Sequence, residues 1–303
     1  MRRWLARRTR VERVLLAVAA LLLAGAGALW LSLPDVRPLA TASPTTTRMI
    51  ELRKKQAAEK KRPFHLRWEW RPLARISPYL QRAAVLSEDA QFWTHDGVDW
   101  DAMKKAAEHD WHERAMERGA STITQQVAKN LYLSPSRNPV RKLRELLIAR
   151  RLDAALGKSR VLELYLNIAE WGDGIFGAEA AARRWFGCSA AELTPAQAAR
   201  LAVALPNPFT RAPSVRSKPL ARKAAHLVRM LARSGLVDAA GLAAAEAELG
   251  VAKPAPPPVA DTDSPIAAQP SETNVKEPAP SPAEAAEPSA EEPTGDESDP
   301  SEP

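Results

Sequence analysis

Apolar positions divide the chain into a long apolar run, a helical middle and a polar end. Residues 14–33 are twenty consecutive positions without a charged side chain. At about 1.5 Å per residue, a helix of that length crosses a hydrocarbon core of roughly 30 Å. The run is longer than the ~7–15 apolar residues of a cleaved signal peptide, and LWLSLPDVRP at its end is a poor match to a cleavage site. We therefore predict a retained transmembrane helix rather than a signal sequence.

Helical spacing continues through the middle of the chain. In residues 73–89, Ile76, Leu80 and Leu86 recur at helical spacing, and Ser77 followed by a proline is typical of a helix start. No strand-like alternation lasts long enough for a sheet of any size, so we predict an all-α domain. Further helices are predicted at 101–116, 122–131, 140–156, 160–168 after a Ser159 cap, 178–186, 195–205, 216–235 and 238–249.

The two segments that flank this helical region are polar. Residues 251–303 hold 13 of the 26 prolines, and 12 acidic residues against Lys253 and Lys276. Such a sequence buries too little apolar surface to offset its ordering entropy, so we predict disorder. Residues 41–61 carry the basic run RKKQAAEKKR, which fits either contact with anionic headgroups or a solvated linker. The predicted organisation is a basic N-terminus at 1–13, a transmembrane helix at 14–33, a juxtamembrane stalk at 34–63, a folded domain at 64–250 and a tail at 251–303.

Charge indicates the orientation of the chain and the chemistry of its ligands. The N-terminal MRRWLARRTRVER has six arginines against Glu12, and such flanks stay in the cytoplasm, so the bulk of the chain is expected outside. The whole chain carries +7, the tail −10 and the N-terminus +5, which leaves +12 for residues 34–250. That charge suits an anionic lipid or a pyrophosphate. Nucleic acid, the generic partner of a basic domain, does not fit an outward-facing location.

Two adjacent carboxylates provide the first candidate chemistry. The segment SEDAQFWTHDGVDWDA places Glu88 and Asp89 at the predicted end of the helix, followed by His95-Asp96-Gly97. A carboxylate held at a helix end beside a tight turn can be partly buried, which raises its pKa and suits it to act as a base. A surface helix that happens to end in Glu-Asp is the simpler interpretation of this segment alone.

Two further segments suggest groups that bind sugars and phosphates. RGASTITQQVAKN is dense in neutral hydroxyl and amide groups, which suits sugar hydroxyls and N-acetyl groups, although Ser121 could serve only as a helix cap. RNPVRKLRELLIARR surrounds Glu145 with cations, although Arg141 and Glu145 could form an ordinary surface ion pair at i, i+4. Guanidinium and ammonium groups together are what pyrophosphate recognition requires. The cations concerned are Lys129, Arg137, Arg141, Lys142 and Arg144.

Other reaction classes are excluded by what the sequence does not contain. There is no G-x-S-x-G, H-E-x-x-H or Walker motif, and His109 and His112 are interpreted as exposed helix residues rather than ligands. Cys188 is the only cysteine, so no internal disulfide and no thiolate metal cluster can form.

The motifs together resemble the family 51 peptidoglycan glycosyltransferases, and among them the monofunctional biosynthetic type. The resemblance covers about residues 70–213 and rests on five motifs in order, of which the first two are highly specific. They are EDAQFWTHDGVDW, GASTITQQVAKN, RNPVRKLRE, GKSRVLELYLNIAEWGDGIFGAEAAARRWFG and the Ala-rich helix before LPNP. The resemblance implies a lysozyme-like helical head with a smaller, flexible jaw against the membrane. The cleft between them would take lipid II and the growing glycan strand.

The resemblance also implies roles for individual residues. Glu88 matches the catalytic base and Glu145 the second essential acid. Glu88 would deprotonate the acceptor 4-hydroxyl, which attacks the donor anomeric carbon with inversion and expels undecaprenyl pyrophosphate. Substrate binding is assigned to Asp89, Ser121, Gln126, Lys129, Arg137, Arg144 and Asn207.

The expected setting is the outer, periplasmic face of a bacterial inner membrane. The partners expected there are lipid II, the glycan strand, membrane lipids and proteins of the division or elongation machinery, with no nucleic acid. No cofactor is obligatory and no metal ligands are assigned, although a divalent cation such as Mg²⁺ could assist. Two other classes stay open: a lytic enzyme on the same lysozyme-like head, which needs no cationic site, and a non-catalytic division scaffold, which would not need both acids.

Overall fold

The computed structural model describes residues 9–113, 121–136, 138–214 and 217–251, and within these ranges the fold is almost entirely helical. The prediction of an all-α fold is confirmed. The predicted tail and Arg137 lie outside the described residues. The helices are α1 (Arg10–Leu31), α2 (Arg48–Glu59), α3 (Pro78–Glu88), α4 (Trp100–Glu113), α5 (Ile123–Tyr132), α6 (Pro139–Leu156), α7 (Lys158–Ile168), α8 (Ala178–Phe186), α9 (Pro195–Ala204), α10 (Lys218–Arg233) and α11 (Ala239–Glu248).

Most predicted helices agree with the structure to within a few residues at either end, and the largest difference lies at the start of α3. Residues 73–89 do not form one helix, because a 3₁₀ turn at Leu73–Arg75 precedes α3. Ser77 occupies the N-cap position of α3 and Pro78 follows it, as predicted, but its side chain makes no capping hydrogen bond; the hydroxyl donates to the carbonyl of Leu193, at 3.2 Å. Ser159 is not a cap either, since α7 already begins at Lys158, directly after Gly157.

The helix that carries Gln126 and Lys129 begins at a capping box. The Thr122 hydroxyl accepts from the backbone N–H of Gln125, and the Gln125 side chain accepts in return from the N–H of Thr122. This arrangement satisfies donors that the first turn of a helix otherwise leaves unpaired. The suggested role of Ser121 as the cap of this helix is therefore wrong, and its hydroxyl is left for other contacts.

The core is built as two connected layers of helices. One layer packs α5, α6 and α7 against each other, and the other packs α9 against α10 and α11. Helix α3 packs on α9 and contributes to both layers, so its C-terminal end lies between them. Trp171, fully buried, donates its indole N–H to the carbonyl of Leu201 at 3.0 Å, which satisfies its one polar atom.

A small sheet packs against α8, although the sequence predicted none. Strand β1 (Arg67–Trp68) pairs in parallel with β3 (Ile175–Phe176), which pairs antiparallel with β2 (Glu170–Gly172). Strands of two or three residues are too short to show alternation. The turn between β2 and β3 requires Gly174, whose φ is +69° and whose added Cβ would collide with the carbonyl oxygen of His65.

The N-terminal helix α1 is long and apolar enough to cross a membrane, and none of its side chains is buried in the protein. It begins four positions before the predicted span. A capping box at Thr9 and Glu12 explains the earlier start, because polar residues can open a helix ahead of its apolar part. The helix is thus compatible with a single-pass anchor.

The segment predicted as a juxtamembrane stalk is packed onto the domain, so that prediction is wrong. Leu33, Val36 and Leu39 are buried in the main core immediately after α1. Helix α2 follows and packs against α5. The basic run that suggested a solvated linker is therefore partly used in internal contacts, which charge and polarity along the sequence do not reveal.

Candidate active site

Glu88 is the last residue of α3, and two hydrogen bonds in series fix its carboxylate. The hydroxyl of Tyr165 donates to Oε1 of Gln126 at 3.4 Å, and Nε2 of Gln126 donates to Oε2 of Glu88 at 2.8 Å. Tyr165 is buried in the core on α7, so its position is set by packing. The buried hydroxyl thereby determines which way the Gln126 amide points, and the amide determines where the carboxylate lies.

Burial of Glu88 and its charged or hydrogen-bonding neighbours shift the pKa of its carboxyl in opposite directions. Desolvation raises the pKa of the carboxyl, while the Gln126 hydrogen bond and the charges of Lys129 and Arg211 oppose that rise. The net effect is a raised pKa. A carboxylate that binds protons more readily than usual, yet is flanked by cations, is suited to accept a proton from a sugar hydroxyl.

Asp89 is enclosed by the protein rather than directed at a ligand. Nε2 of His95 lies 3.0 Å from both carboxylate oxygens, and the backbone N–H of Ile123 donates to Oδ2 at 2.9 Å. Its side chain is only 3% exposed. Because Ile123 is the first residue of α5, the carboxylate anchors the positive end of that helix beside Glu88. This geometry favours a positioning role for Asp89 over the predicted direct contact with substrate.

The turn after Asp89 is tied to the same helix start. The Thr122 hydroxyl donates to the carbonyl of Gly97 at 2.7 Å. Gly97 has a φ of +79°, and a Cβ there would lie 2.8 Å from the carbonyl oxygen of Ala149 on α6. Only glycine allows so close an approach at that φ. These contacts join the turn at Gly97, the start of α5 at Thr122 and the Ala149 region of α6.

Glu145 is buried, so the alternative of an ordinary surface ion pair is wrong. Nη1 of Arg141 lies 2.6 Å from Oε2, and Nζ of Lys142 lies 2.5 Å from Oε1. Nζ of Lys142 also donates to the hydroxyl of Ser121 at 3.0 Å. The acid thus holds two cations in fixed positions and, through Lys142, links α6 to the residue that precedes α5.

The charges of both acids, Glu88 and Glu145, act on Lys129. Burial lowers the pKa of its ammonium group, and the nearby charges of Glu145 and Glu88 oppose that change. Within the described part of the chain, its side chain forms no hydrogen bond and no ion pair. Lys129 is therefore a cation in the site that remains available to a negatively charged ligand.

The other predicted substrate-binding residues are placed differently. Arg144 donates from Nη2 to the carbonyl of Ser32, 3.1 Å away at the end of α1, and the structure does not bring it to Lys129. Asn207 lies exposed in the loop after α9, where its Oδ1 accepts from the N–H of Thr210 at 3.3 Å. Arg137 lies outside the described residues.

A cavity of about 770 Å³ opens beside Glu88, Ser121 and Trp100. That size falls within the range of sites for small-molecule ligands, which is roughly 300–1,000 Å³. Within the described ranges, no group of three histidine, cysteine or acidic side chains could hold a metal ion. Assistance by a divalent cation therefore stays an expectation.

Two residues of the site were not selected from the sequence. Tyr165 lies in the fourth motif, but a tyrosine on an apolar helix face gives no signal beyond packing. Arg211 follows the LPNP motif, and only the fold shows that its charge acts on Glu88.

Comparison with known proteins agrees with this geometry. Residues 54–232 match the family described as Transglycosylase. A protein named biosynthetic peptidoglycan transglycosylase from Aromatoleum aromaticum is 50% identical over 166 residues, which are 55% of this chain and 72% of that protein. Its namesake from Azoarcus sp. is 48% identical over 196 residues, 65% of this chain and 84% of the relative. The one from Bordetella pertussis is 55% identical over 147 residues, 47% of this chain and 61% of the relative.

The family match spans more than half of the chain and includes Glu88, Gln126, Lys129 and Glu145. Two of the named relatives are covered over more than two thirds of their own length. The chain therefore belongs to the transglycosylase family.

Proposed function

We propose that this chain is a peptidoglycan glycosyltransferase, which polymerises lipid II into glycan strands for the bacterial cell wall. The observation that carries the proposal is a pair of acids whose charges both act on Lys129, a cation without a hydrogen-bond or ion-pair partner among the described residues. Glu88 is partly buried and held by Gln126, and Glu145 is paired with Arg141 and Lys142. The names of the relatives point to the same activity.

In the proposed reaction, Glu88 takes the proton from the 4-hydroxyl of the acceptor GlcNAc. The acceptor oxygen forms a bond to the anomeric carbon of the donor MurNAc while the bond from that carbon to the pyrophosphate oxygen breaks, with inversion. The electron pair leaves with undecaprenyl pyrophosphate, and the proton passes from Glu88 to solvent. Lys129 stabilises the charge that develops on the leaving group, because a partly desolvated cation interacts more strongly than one in water.

Glu145 contributes by organising cations rather than by exchanging protons. Its two hydrogen-bonded partners, Arg141 and Lys142, would otherwise repel one another and Lys129. Lys142 in turn holds the Ser121 hydroxyl at the edge of the cavity. We propose direct substrate contacts for Ser121, Gln126, Lys129, Arg137 and Asn207.

The lytic alternative fits less well. Cleavage of glycan by water requires an acid but no cationic site for a leaving pyrophosphate. The positively charged group of Lys129, Arg141 and Lys142 would have no purpose in such an enzyme, although its assembly requires a buried acid. A non-catalytic scaffold would not require Glu88 and Glu145 together.

We further propose that α1 anchors the chain in the bacterial inner membrane with its N-terminus in the cytoplasm. The six arginines before the apolar run support this orientation, which places the domain in the periplasm. Lipid II and the growing strand are then reached from the outer leaflet, and membrane lipids and cell-wall assembly proteins are the expected neighbours.

The test is polymerisation by the full-length protein in vesicles that contain radiolabelled lipid II. We expect glycan polymer that a muramidase digests, together with release of undecaprenyl pyrophosphate. A parallel incubation with preformed glycan tests the lytic alternative. Cleavage of that glycan without polymerisation of lipid II would overturn the proposal.

A further inference from the structure

Arg53 of α2 lies outside the motifs that identify the family, yet it makes a well-defined set of contacts near the cleft. Nε and Nη2 each lie 2.8 Å from an oxygen of Glu170, and Nη1 donates to Oε1 of Gln56 at 2.9 Å. The Glu170 side chain is 9% exposed and the Arg53 side chain 24%. A forked, largely buried pair of this kind holds the guanidinium plane in one orientation.

The guanidinium held in this way meets the ring of Phe209. The Arg53 Cζ atom lies 4.9 Å from the ring centroid, within the range of a cation–π contact. Phe209 is otherwise 51% exposed, so the core does not explain its position. It lies in the loop after α9, between Asn207 and Arg211. Among the described residues, the contact between Arg53 and Phe209 attaches the middle of this loop to α2 and, through Glu170, to β2.

The loop carries a charge that acts on Glu88. The N–H of Arg211 donates to the carbonyl of Asn207 at 2.9 Å, which closes the turn around Phe209. Helix α9, from which the loop emerges, packs directly on α3, whose last residue is Glu88. Because Phe209 and Arg211 share this turn, movement of Phe209 is expected to move Arg211 relative to Glu88, on whose pKa the Arg211 charge acts.

Several charged or titratable groups face Glu88, from α5, from α7, from its own chain and from the loop. The charge of Lys129 lowers the pKa of Glu88, and Asp89 raises it. The hydroxyl of buried Tyr165 lies near both acids. Among these groups, Arg211 belongs to the loop rather than to a helix. Its distance from Glu88 is therefore the one that the Phe209 contact can set.

We propose that Arg53 is a positioning residue of the glycosyltransferase site, which clamps the loop 206–211 through Phe209 and so holds Arg211 at its working distance from Glu88. The inference rests on the proposed function for its kinetic consequences. The clamp itself has a readout that does not depend on activity, because the ionisation of Glu88 can be followed without substrate.

The decisive variant is Phe209→Ala, because Phe209 is exposed and uncharged. Its removal changes no charge near Glu88, so a change in the ionisation of Glu88 reports either movement of the loop charge or a change in the hydration of the carboxyl, and these shift the pKa in opposite directions. Without Arg211 nearby, the pKa of Glu88 rises further, and the acid limb of the kcat/KM profile moves to higher pH. Loss of one exposed cation–π contact is expected to lower kcat/KM about 2- to 5-fold near neutral pH.

Four further variants complete the experiment. Arg53→Lys keeps the charge opposite Glu170 but loses the fork and the stacking, so it should behave as Phe209→Ala does. Arg211→Ala should shift the profile in the same direction, and Phe209→Ala combined with Arg211→Ala should shift it no further. Lys54→Ala is the matched control, because Lys54 is next to Arg53 on α2 but is half-exposed and pairs with Glu51 on the same helix. It should leave the profile and the kinetics unchanged.

The ionisation of Glu88 is measured in each full-length variant by NMR titration of ¹³C-labelled glutamate carboxyls, assigned with Glu88→Gln. A higher pKa of Glu88 in Phe209→Ala and Arg53→Lys, with no change in Lys54→Ala, supports the clamp even if lipid II is not the substrate. A fall in kcat/KM without any change in the titration would show that Phe209 contacts substrate directly and would overturn the proposal. Unchanged titration and kinetics in both variants would overturn it as well.

Discussion

A chain of hydrogen bonds connects the Glu88 carboxylate to the hydroxyl of Tyr165, a residue that the sequence alone would assign to the core. Tyr165 orients Gln126, and Gln126 donates to Glu88. Neither step is visible in the spacing of residues 88, 126 and 165, because each residue comes from a different helix. At the scale of single residues, the site is an arrangement of donors that packing prepares before any substrate arrives.

Glu88→Gln is expected to abolish polymerisation while the protein stays folded. The amide keeps the shape and polarity of the side chain but cannot accept the proton, and loss of a general base costs about two to four orders of magnitude in rate. Lipid II turnover and the melting temperature are measured together. A folded variant with substantial turnover would remove Glu88 from its role.

Lys129→Met should lower kcat/KM by about 10²–10³-fold, the usual cost of removing one preorganised group that stabilises transition-state charge. Thermal stability should change little, because burial already disfavours the ammonium form. Arg233→Ala, which removes an exposed cation at the end of α10, is the control and should preserve activity. Early melting with normal specific activity would show that Lys129 is structural.

The pH dependence follows from the raised pKa of Glu88. Glu88 acts as a base only when it is deprotonated. kcat/KM is therefore highest above the pKa of Glu88 and decreases as the pH falls through that pKa. Because burial raises the pKa, the acid limb should lie above the ordinary range of a glutamate. Lys129→Met removes an opposing charge and should move the limb further toward high pH. A limb that does not move would contradict the assigned electrostatics.

The sequence nominates the acids as candidates, but it does not say what each side chain faces. Glu88 and Glu145 could be selected from the resemblance, and Gln126 as a partner in the site. Asp89 and Arg144 look equivalent to them in sequence, yet one anchors the start of α5 and the other reaches the end of α1. The contacts of these two side chains depend on how the helices pack. Helix packing is determined by contacts between residues that are far apart in the chain.

At the scale of helices, two capping boxes of the same design serve different purposes. Thr122 caps α5 and also donates to Gly97, whereas Thr194 caps α9 and donates to Glu248 at 3.1 Å. Only the first connects a helix start to the turn beside Glu88. The pattern of a threonine followed three residues later by glutamine predicts the cap in both cases.

Thr122→Ala and Thr194→Ala should each destabilise the protein by about 1–2 kcal/mol, the usual cost of losing an N-cap. Only Thr122→Ala should also lower kcat/KM, since it releases the turn at Gly97 as well as the start of α5. Chemical denaturation and polymerisation are measured for both variants. Equal losses of activity at equal losses of stability would mean that the cap next to the cleft has no special effect.

Helix extents were predictable to within a few residues because periodicity, prolines and caps are local signals. The small sheet was not predictable, because its strands are two or three residues long and β1 pairs with β3 across more than a hundred positions. The packed course of residues 33–61 was missed for a related reason. Its polar composition suits a linker, and only the contact of α2 with α5 makes it part of the domain.

At the scale of the whole chain, charge is distributed very unevenly. Residues 34–250 carry about +12, whereas the C-terminal segment carries about −10. Truncation after Val251 removes that negative charge and no residue of the candidate site. We expect unchanged polymerisation, together with tighter binding to anionic vesicles that weakens as salt is raised. Loss of polymerisation at equal vesicle binding would show that the segment belongs to the enzyme.

The direct passage from α1 into the core has a consequence for how the enzyme meets its bilayer. Ser32 and Trp30 are held by Arg144 and Arg151, and Leu33 is already buried. A transmembrane helix adjusts its tilt when the hydrocarbon thickness changes, usually at a small cost. Among the described residues, Leu33 enters the core directly after α1, so in the proposed anchoring a change in tilt would be passed on to the domain. We therefore expect the rate of polymerisation to depend on the acyl-chain length of the vesicles in which it is measured.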